Sequence, residues 1–240
     1  MTRQTHSIPK LKRRAPAEPM SELLRVMVVL RSPEGCPWDR EQNHLSLRFH
    51  AVEEAYELMD AIEAGNDSEL AEELGDLLLQ VVFHAQLASE RGAFNFDQVA
   101  GKIVEKLIRR HPHVFGEATA KTVDAVWKQW DQIKKEEKAG TAHERKSALD
   151  GVPRHLPALL RVEKLVKKAR KAALMPAFKA KAATPAARRT LGRRLFRLAA
   201  AAQAQGLSAE DLLREETNAV EKNLRQVEVK RSKRGVIKAV

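Results

Sequence analysis

Between His50 and His84 the chain reads HAVEEAYELMDAIEAGNDSELAEELGDLLLQVVFH, and no other stretch constrains the fold as tightly. Two acidic clusters, Glu53-Glu54-x-x-Glu57 and Glu72-Glu73-x-x-Asp76, are set into apolar patterns of helical period. A carboxylate on the wet side of a helix needs no partner. One inside the apolar stripe must be protonated, paired or bound to a cation. Gly65-Asn66-Asp67 breaks the stretch, with Gly65 suited to the left-handed position after a helix and Asn66 at capping-box spacing from Glu69. The pattern predicts one helix from about residue 40 to Ala64 and a second ending near Arg91. So short a turn lays the two antiparallel, side by side.

With Glu54 at zero, Leu47, Leu58 and Ala51 fall at about +20°, +40° and +60°, and Ala61, His50 and Glu57 at about −20°, −40° and −60°. Glu54 is on the apolar stripe, Glu57 borders it, and Glu53 is turned further round. With Glu73 at zero, Leu77, Leu70 and Val81 fall at about +40°, +60° and +80°, and Gln80, Glu69 and Asp76 at about −20°, −40° and −60°. From Leu77 to Phe83 the second helix is apolar nearly all round, which predicts burial. Each helix thus offers a carboxylate pair three residues apart. Ordinary exposed charges would explain one such cluster. Two on adjacent antiparallel helices point to a divalent cation, and oxygen-only ligands favour Mg²⁺ or Mn²⁺.

Composition extends this reading. Aromatic residues make up only 5% of the 240 residues while good helix formers abound, which predicts an all-α fold. The one cysteine, Cys36, excludes an internal disulfide. No apolar run reaches membrane-span length and no secretory leader is visible, so a cytoplasmic protein is expected. Charge divides the chain into a Pro-rich basic tail over 1–20, a helical domain over 21–140 with net charge −8, and a region over 141–240 with net charge +15.

Ser21 opens a short amphipathic helix that Ser32-Pro33-Glu34-Gly35-Cys36-Pro37 breaks, and Asp39 with Gln42 has the spacing to start the next. Asp97 is expected to cap a helix reaching about Arg110, whose polar face carries Lys102, Lys106 and Arg109. A cationic row beside carboxylate-held metal suits a polyphosphate. His111 and His113 are weaker metal candidates, since no cysteine accompanies them. Thr122 caps a further helix with Trp127 and Trp130, of which one can pack in a core and the other stack on a nucleobase.

These residues carry a resemblance. Gly-Cys-Pro-Trp-Asp at 35–39, Glu53-Glu54-x-x-Glu57, Glu73-Leu-Gly-Asp76, Arg109-Arg110-His-Pro-His-Val-Phe115 and Trp130-Asp-Gln-Ile-Lys134, in that order, resemble MazG-type nucleoside triphosphate pyrophosphohydrolases of the all-α pyrophosphatase superfamily. The resemblance implies a helical bundle completed by homodimerisation. It also implies Mg²⁺-dependent hydrolysis of nucleoside triphosphates to monophosphate and pyrophosphate. It places Glu54, Glu57, Glu73 and Asp76 as metal ligands, His50, Lys102, Lys106 and Arg109 with the substrate, and Trp130 near the base. The expected chemistry is attack of a metal-activated water on the α-phosphorus, with Glu53 or Glu54 assisting deprotonation.

Family members carry two tandem copies of the helical domain, and the second half here reads as a degenerate copy. Thr190-Leu191-Gly192-Arg193 echoes Glu73-Leu74-Gly75-Asp76, and Val220-Glu221-Lys222 echoes Val104-Glu105-Lys106, with the carboxylates replaced. From Arg161 to Arg197, thirteen Lys and Arg residues accompany one acid, Glu163. Cationic side chains repel Mg²⁺, so catalysis is expected from the first copy alone. The other reading is a non-catalytic helical module whose basic half binds nucleic acid or an acidic partner.

Overall fold

The computed structural model describes residues 18–141, 144–176 and 182–233, and these form ten helices without a strand. All but three residues of the basic tail expected over 1–20 fall outside them. The chain divides into two compact units, residues 1–120 and 121–240. That boundary falls ahead of the expected one at residue 140, so the helix bearing Trp127 and Trp130 belongs to the second unit.

In the first unit, α1 (Pro19–Leu30) starts two residues ahead of the expected Ser21, on a proline that needs no N–H at that position. Cys36 N–H then bonds to Leu30 O at 2.8 Å, folding the loop back over the helix end. Only glycine tolerates that approach, since a Cβ on Gly35 would stand 2.2 Å from Leu30 O. The long helix expected from about residue 40 is instead two elements. Pro37 opens the single-turn α2 (Pro37–Glu41), which already contains Asp39, and α3 (His50–Ala64) begins only at His50. Between them Asn43 Oδ1 accepts from the N–H groups of Leu45 and Ser46. These local bonds compete with helix propagation.

Gly65, at φ 67°, ends α3 in the left-handed conformation, and Asn66 Oδ1 accepts from Ser68 and Glu69 to start α4 (Asp67–Glu90). The two helices pack side by side. α5 (Phe96–Arg110) is started by Asn95, not Asp97. Asn95 and Gln98 form a reciprocal capping box, which leaves Asp97 in the first turn. α6 (Pro112–Phe115) closes the unit. The core gathers Met27, Leu47, Val82, Phe83 and Leu87, flanked by Leu23, Leu24, Leu78, Leu79 and Phe96. Each of these five buried side chains contributes about 1.5–3 kcal/mol. Val81 departs from the expected all-round burial: it faces outward, exposed.

In the second unit Thr122 caps α7 (Val123–Glu136) as expected. α8 (Ala158–Lys171) packs on α10 (Ala209–Lys233) around Leu149, Leu165, Ala169 and Leu174. Lys171 pairs with Asp131 and ties α8 to α7. α9 (Pro185–Gln203) starts on Pro185 and carries the Thr190–Arg193 echo on an almost wholly exposed helix. Val220-Glu221-Lys222 lies on α10.

Candidate metal centre

The α3–α4 pairing brings the two acidic clusters together. Oxygens of Glu54, Glu57 and Glu73 all lie within 4.8 Å of one another. Asp76, one turn beyond Glu73, stands outside this triple but close enough for its charge to act on both Glu54 and Glu73. Burial, then the charges of Asp76 and Glu57, push the Glu54 carboxyl above the usual carboxylate range. Burial and the charges of Glu57 and Asp76 push Glu73 up in the same way. One oxygen of Glu73, Oε2, is buried with no hydrogen-bond partner.

Gln80 is a neutral side chain that donates to this cluster. Its Nε2 gives a 3.2 Å hydrogen bond to Glu54 Oε1. Three crowded carboxylates, an orphaned oxygen and all-oxygen donors fit a hard divalent cation, which would relieve both desolvation and mutual repulsion.

Glu53 points away from the cluster as the helical wheel predicts, with its carboxylate 3.5 Å from His50 Nδ1. Trp38 meets the His50 ring edge-on, with centroids 6.3 Å apart. Lys102, Lys106 and Arg109 lie on α5, which packs against α4. Lys102 and Lys106 make no ion pair among the described residues. Trp130 belongs to the second unit, where its ring meets Trp127 edge-on at 5.3 Å.

Sequence reasoning passed over two features. Gln80 is a lone amide on an otherwise apolar buried stripe, and that was the available signal. His44 and His84 stack with parallel rings and share a 2.8 Å Nδ1–Nδ1 contact, and Arg91 lies 3.2 Å from His44 Nε2. Their separation in sequence hid this pairing.

The fold and the cluster define an all-α protein with a carboxylate cluster, able to hold a metal ion, on one antiparallel helix pair. Residues 42–115 match the MazG nucleotide pyrophosphohydrolase domain, and the chain belongs to the MazG family. It is 48% identical over 150 residues to the nucleoside triphosphate pyrophosphohydrolase of Escherichia coli K12, covering 62% of this chain and 56% of that protein. It is 56% identical over 117 residues to the nucleoside triphosphate pyrophosphohydrolase/pyrophosphatase MazG of Thermotoga maritima, covering 49% and 44%. An uncharacterised 26.1 kDa protein of Streptomyces cacaoi is 45% identical over 200 residues, covering 82% and 78%. The chain thus spans about half the length of the two named enzymes it matches.

Proposed function

We propose that the first unit hydrolyses nucleoside triphosphates to the monophosphate and pyrophosphate, with Mg²⁺ held by Glu54, Glu57, Glu73 and Asp76. The observation that carries this reading is the convergence of three carboxylates from two helices around a buried, unpartnered Glu73 oxygen. Relatives that carry this activity in their names support it.

Bound there, the cation supplies Lewis acidity and an acidified water. The chain's own residues do the rest. Gln80 holds Glu54 in place through its amide. Glu54, or Glu53 with His50 3.5 Å from its carboxylate, assists deprotonation of the attacking water. Lys102, Lys106 and Arg109 bind the departing pyrophosphate and hold its charge.

The protein forms a homodimer through the far side of α3. Val52, Tyr56 and Met59 line the back of α3, about 140–200° from Glu54 on the wheel, and all three are exposed. An apolar stripe opposite the carboxylates is the surface a second copy would cover.

The products decide the reaction. In H₂¹⁸O, with Mg²⁺, the label is expected in the nucleoside monophosphate, and unlabelled pyrophosphate is expected in equal amount. Orthophosphate as the product, or label in pyrophosphate, would refute attack at the α-phosphorus.

A further inference from the structure

The second unit holds a cavity of about 540 Å³ between α8, α10 and the loop that enters α8. That volume is within the range of small-molecule sites. Five cations line it, Arg154, Arg161, Arg214, Lys222 and Arg225, together with His155 and a single acid, Glu221.

The acids nearby are already committed. Glu221 accepts from both Arg161 Nη2 and Arg225, each at 2.6 Å. Asp150 accepts from Arg225 at 2.7 Å. Glu210 accepts from Arg214 and also takes the N–H of Ala158 at the start of α8. Arg154 and Lys222 have no ion pair among the described residues, and both are exposed at the cavity.

Arg161 sets this apart from an ordinary basic surface. It is 3% exposed, yet Nε and Nη1 of its guanidinium have no acceptor. A buried arginine normally satisfies its fork of donors, and a planar fork matches the oxygens of a phosphate.

We infer that this cavity binds a small ligand carrying a di- or triphosphate group, on Arg154, Arg161 and Lys222, independently of the carboxylate centre. Two observations select this ligand class. The site is concave and bounded by two helices, which suits a compact anion. Its surplus cations number more than a single phosphate needs. The pyrophosphate released by the proposed reaction belongs to the same class, as do nucleotides, so the free inorganic group and its nucleoside-bound form are separate arms of the test.

The test is calorimetric titration of the full chain in EDTA, which silences a metal-dependent site. The probes are inorganic pyrophosphate, tripolyphosphate, a nucleoside diphosphate, and a single-stranded oligonucleotide. One site per chain is expected for pyrophosphate or tripolyphosphate. The affinity should fall at least tenfold in a double variant, Arg154→Ala with Lys222→Ala, which removes exposed side chains only. Arg161→Lys, which keeps the charge and loses the fork, should weaken binding too, while Glu54→Gln should leave it unchanged. A nucleoside diphosphate that binds more tightly than pyrophosphate, with the same dependence on the variants, assigns the nucleoside-bound form. No binding at low salt, or binding unaffected by the double variant, would overturn the inference. So would oligonucleotide binding that greatly exceeds that of every small anion, since it would make the surface a nucleic-acid one.

Discussion

Gln80 reaches across from α4 to Glu54 on α3, its Nε2 3.2 Å from the carboxylate Oε1, and it is itself almost fully buried. The amide orients a carboxylate that repulsion from Asp76 and Glu57 would otherwise displace. Partners of this kind typically contribute 10–100-fold to metal affinity. Gln80→Leu keeps the volume and removes the donor. It should weaken Mg²⁺ or Mn²⁺ binding by about that factor, with helicity by circular dichroism unchanged. An unchanged metal titration would remove Gln80 from the site.

Raised carboxyls at Glu54 and Glu73 make a signed prediction for the metal-free protein. A carboxyl whose folded-state pKa exceeds its unfolded value binds more protons when folded, so its contribution to stability falls as pH rises from the unfolded pKa through the folded one. Glu73→Gln is neutral at every pH. Its melting temperature relative to wild type should therefore increase as pH is raised from about 4, near the ordinary glutamate pKa, toward 7. Saturating Mg²⁺ should reverse the order by stabilising only the wild type. A melting difference that does not change with pH would show that Glu73 is not crowded by its neighbours.

Arg31 ties the end of α1 to the end of α4. Its Nε and Nη2 donate to the two oxygens of Glu90 at 2.6 and 2.7 Å, and its Nη1 donates to Asp39 O. The Arg31 hydrogen bond holds the Glu90 carboxyl below its usual range, so this stability is present above the unfolded pKa and lost as pH falls through the folded one. Glu90→Gln should cost about 1–2 kcal/mol at neutral pH, less than a fully buried pair because Glu90 is partly open to solvent. The loss should shrink in acid. Urea unfolding at two pH values measures both.

How much of this was legible in sequence depended on how local the cause was. The turn at Gly65-Asn66 and the convergence of Glu54, Glu57 and Glu73 follow from helical period and capping chemistry alone. The break between Glu41 and His50 did not, because Asn43 uses its side chain to bond the backbone, and only the folded loop shows that its bonds replace those of a helix. Asn95 outcompeted Asp97 as the cap for a related reason: both have suitable side chains, and the reciprocal Gln98 bond decides between them. Helical period read around Glu54 found one apolar stripe and overlooked the second, at Val52, Tyr56 and Met59. A stripe that no residue of its own unit covers is invisible to an argument about one core. The cavity of the second unit was beyond reach, since it needs α8 and α10 side by side, and α9 separates them in sequence.

The exposed back of α3 makes the oligomeric state a test of the dimer. Tyr56→Glu combined with Met59→Glu places charges on a surface that is already solvent-exposed in one subunit. Light scattering on the wild type should give a dimer and on this variant a monomer that retains its helicity. A wild-type monomer, or a variant as large as the wild type, would contradict the proposed interface.

The central claim is that four carboxylates on α3 and α4 hold the cation that makes this chain a hydrolase. The most direct measurement is pyrophosphate release from a panel of ribo- and deoxyribonucleoside triphosphates by wild type, Glu54→Gln and Asp76→Asn, each with Mg²⁺ and with EDTA. The account predicts turnover by the wild type with Mg²⁺ alone, and none by either variant while its helicity is intact. Turnover in EDTA, or full activity in either variant, would contradict it.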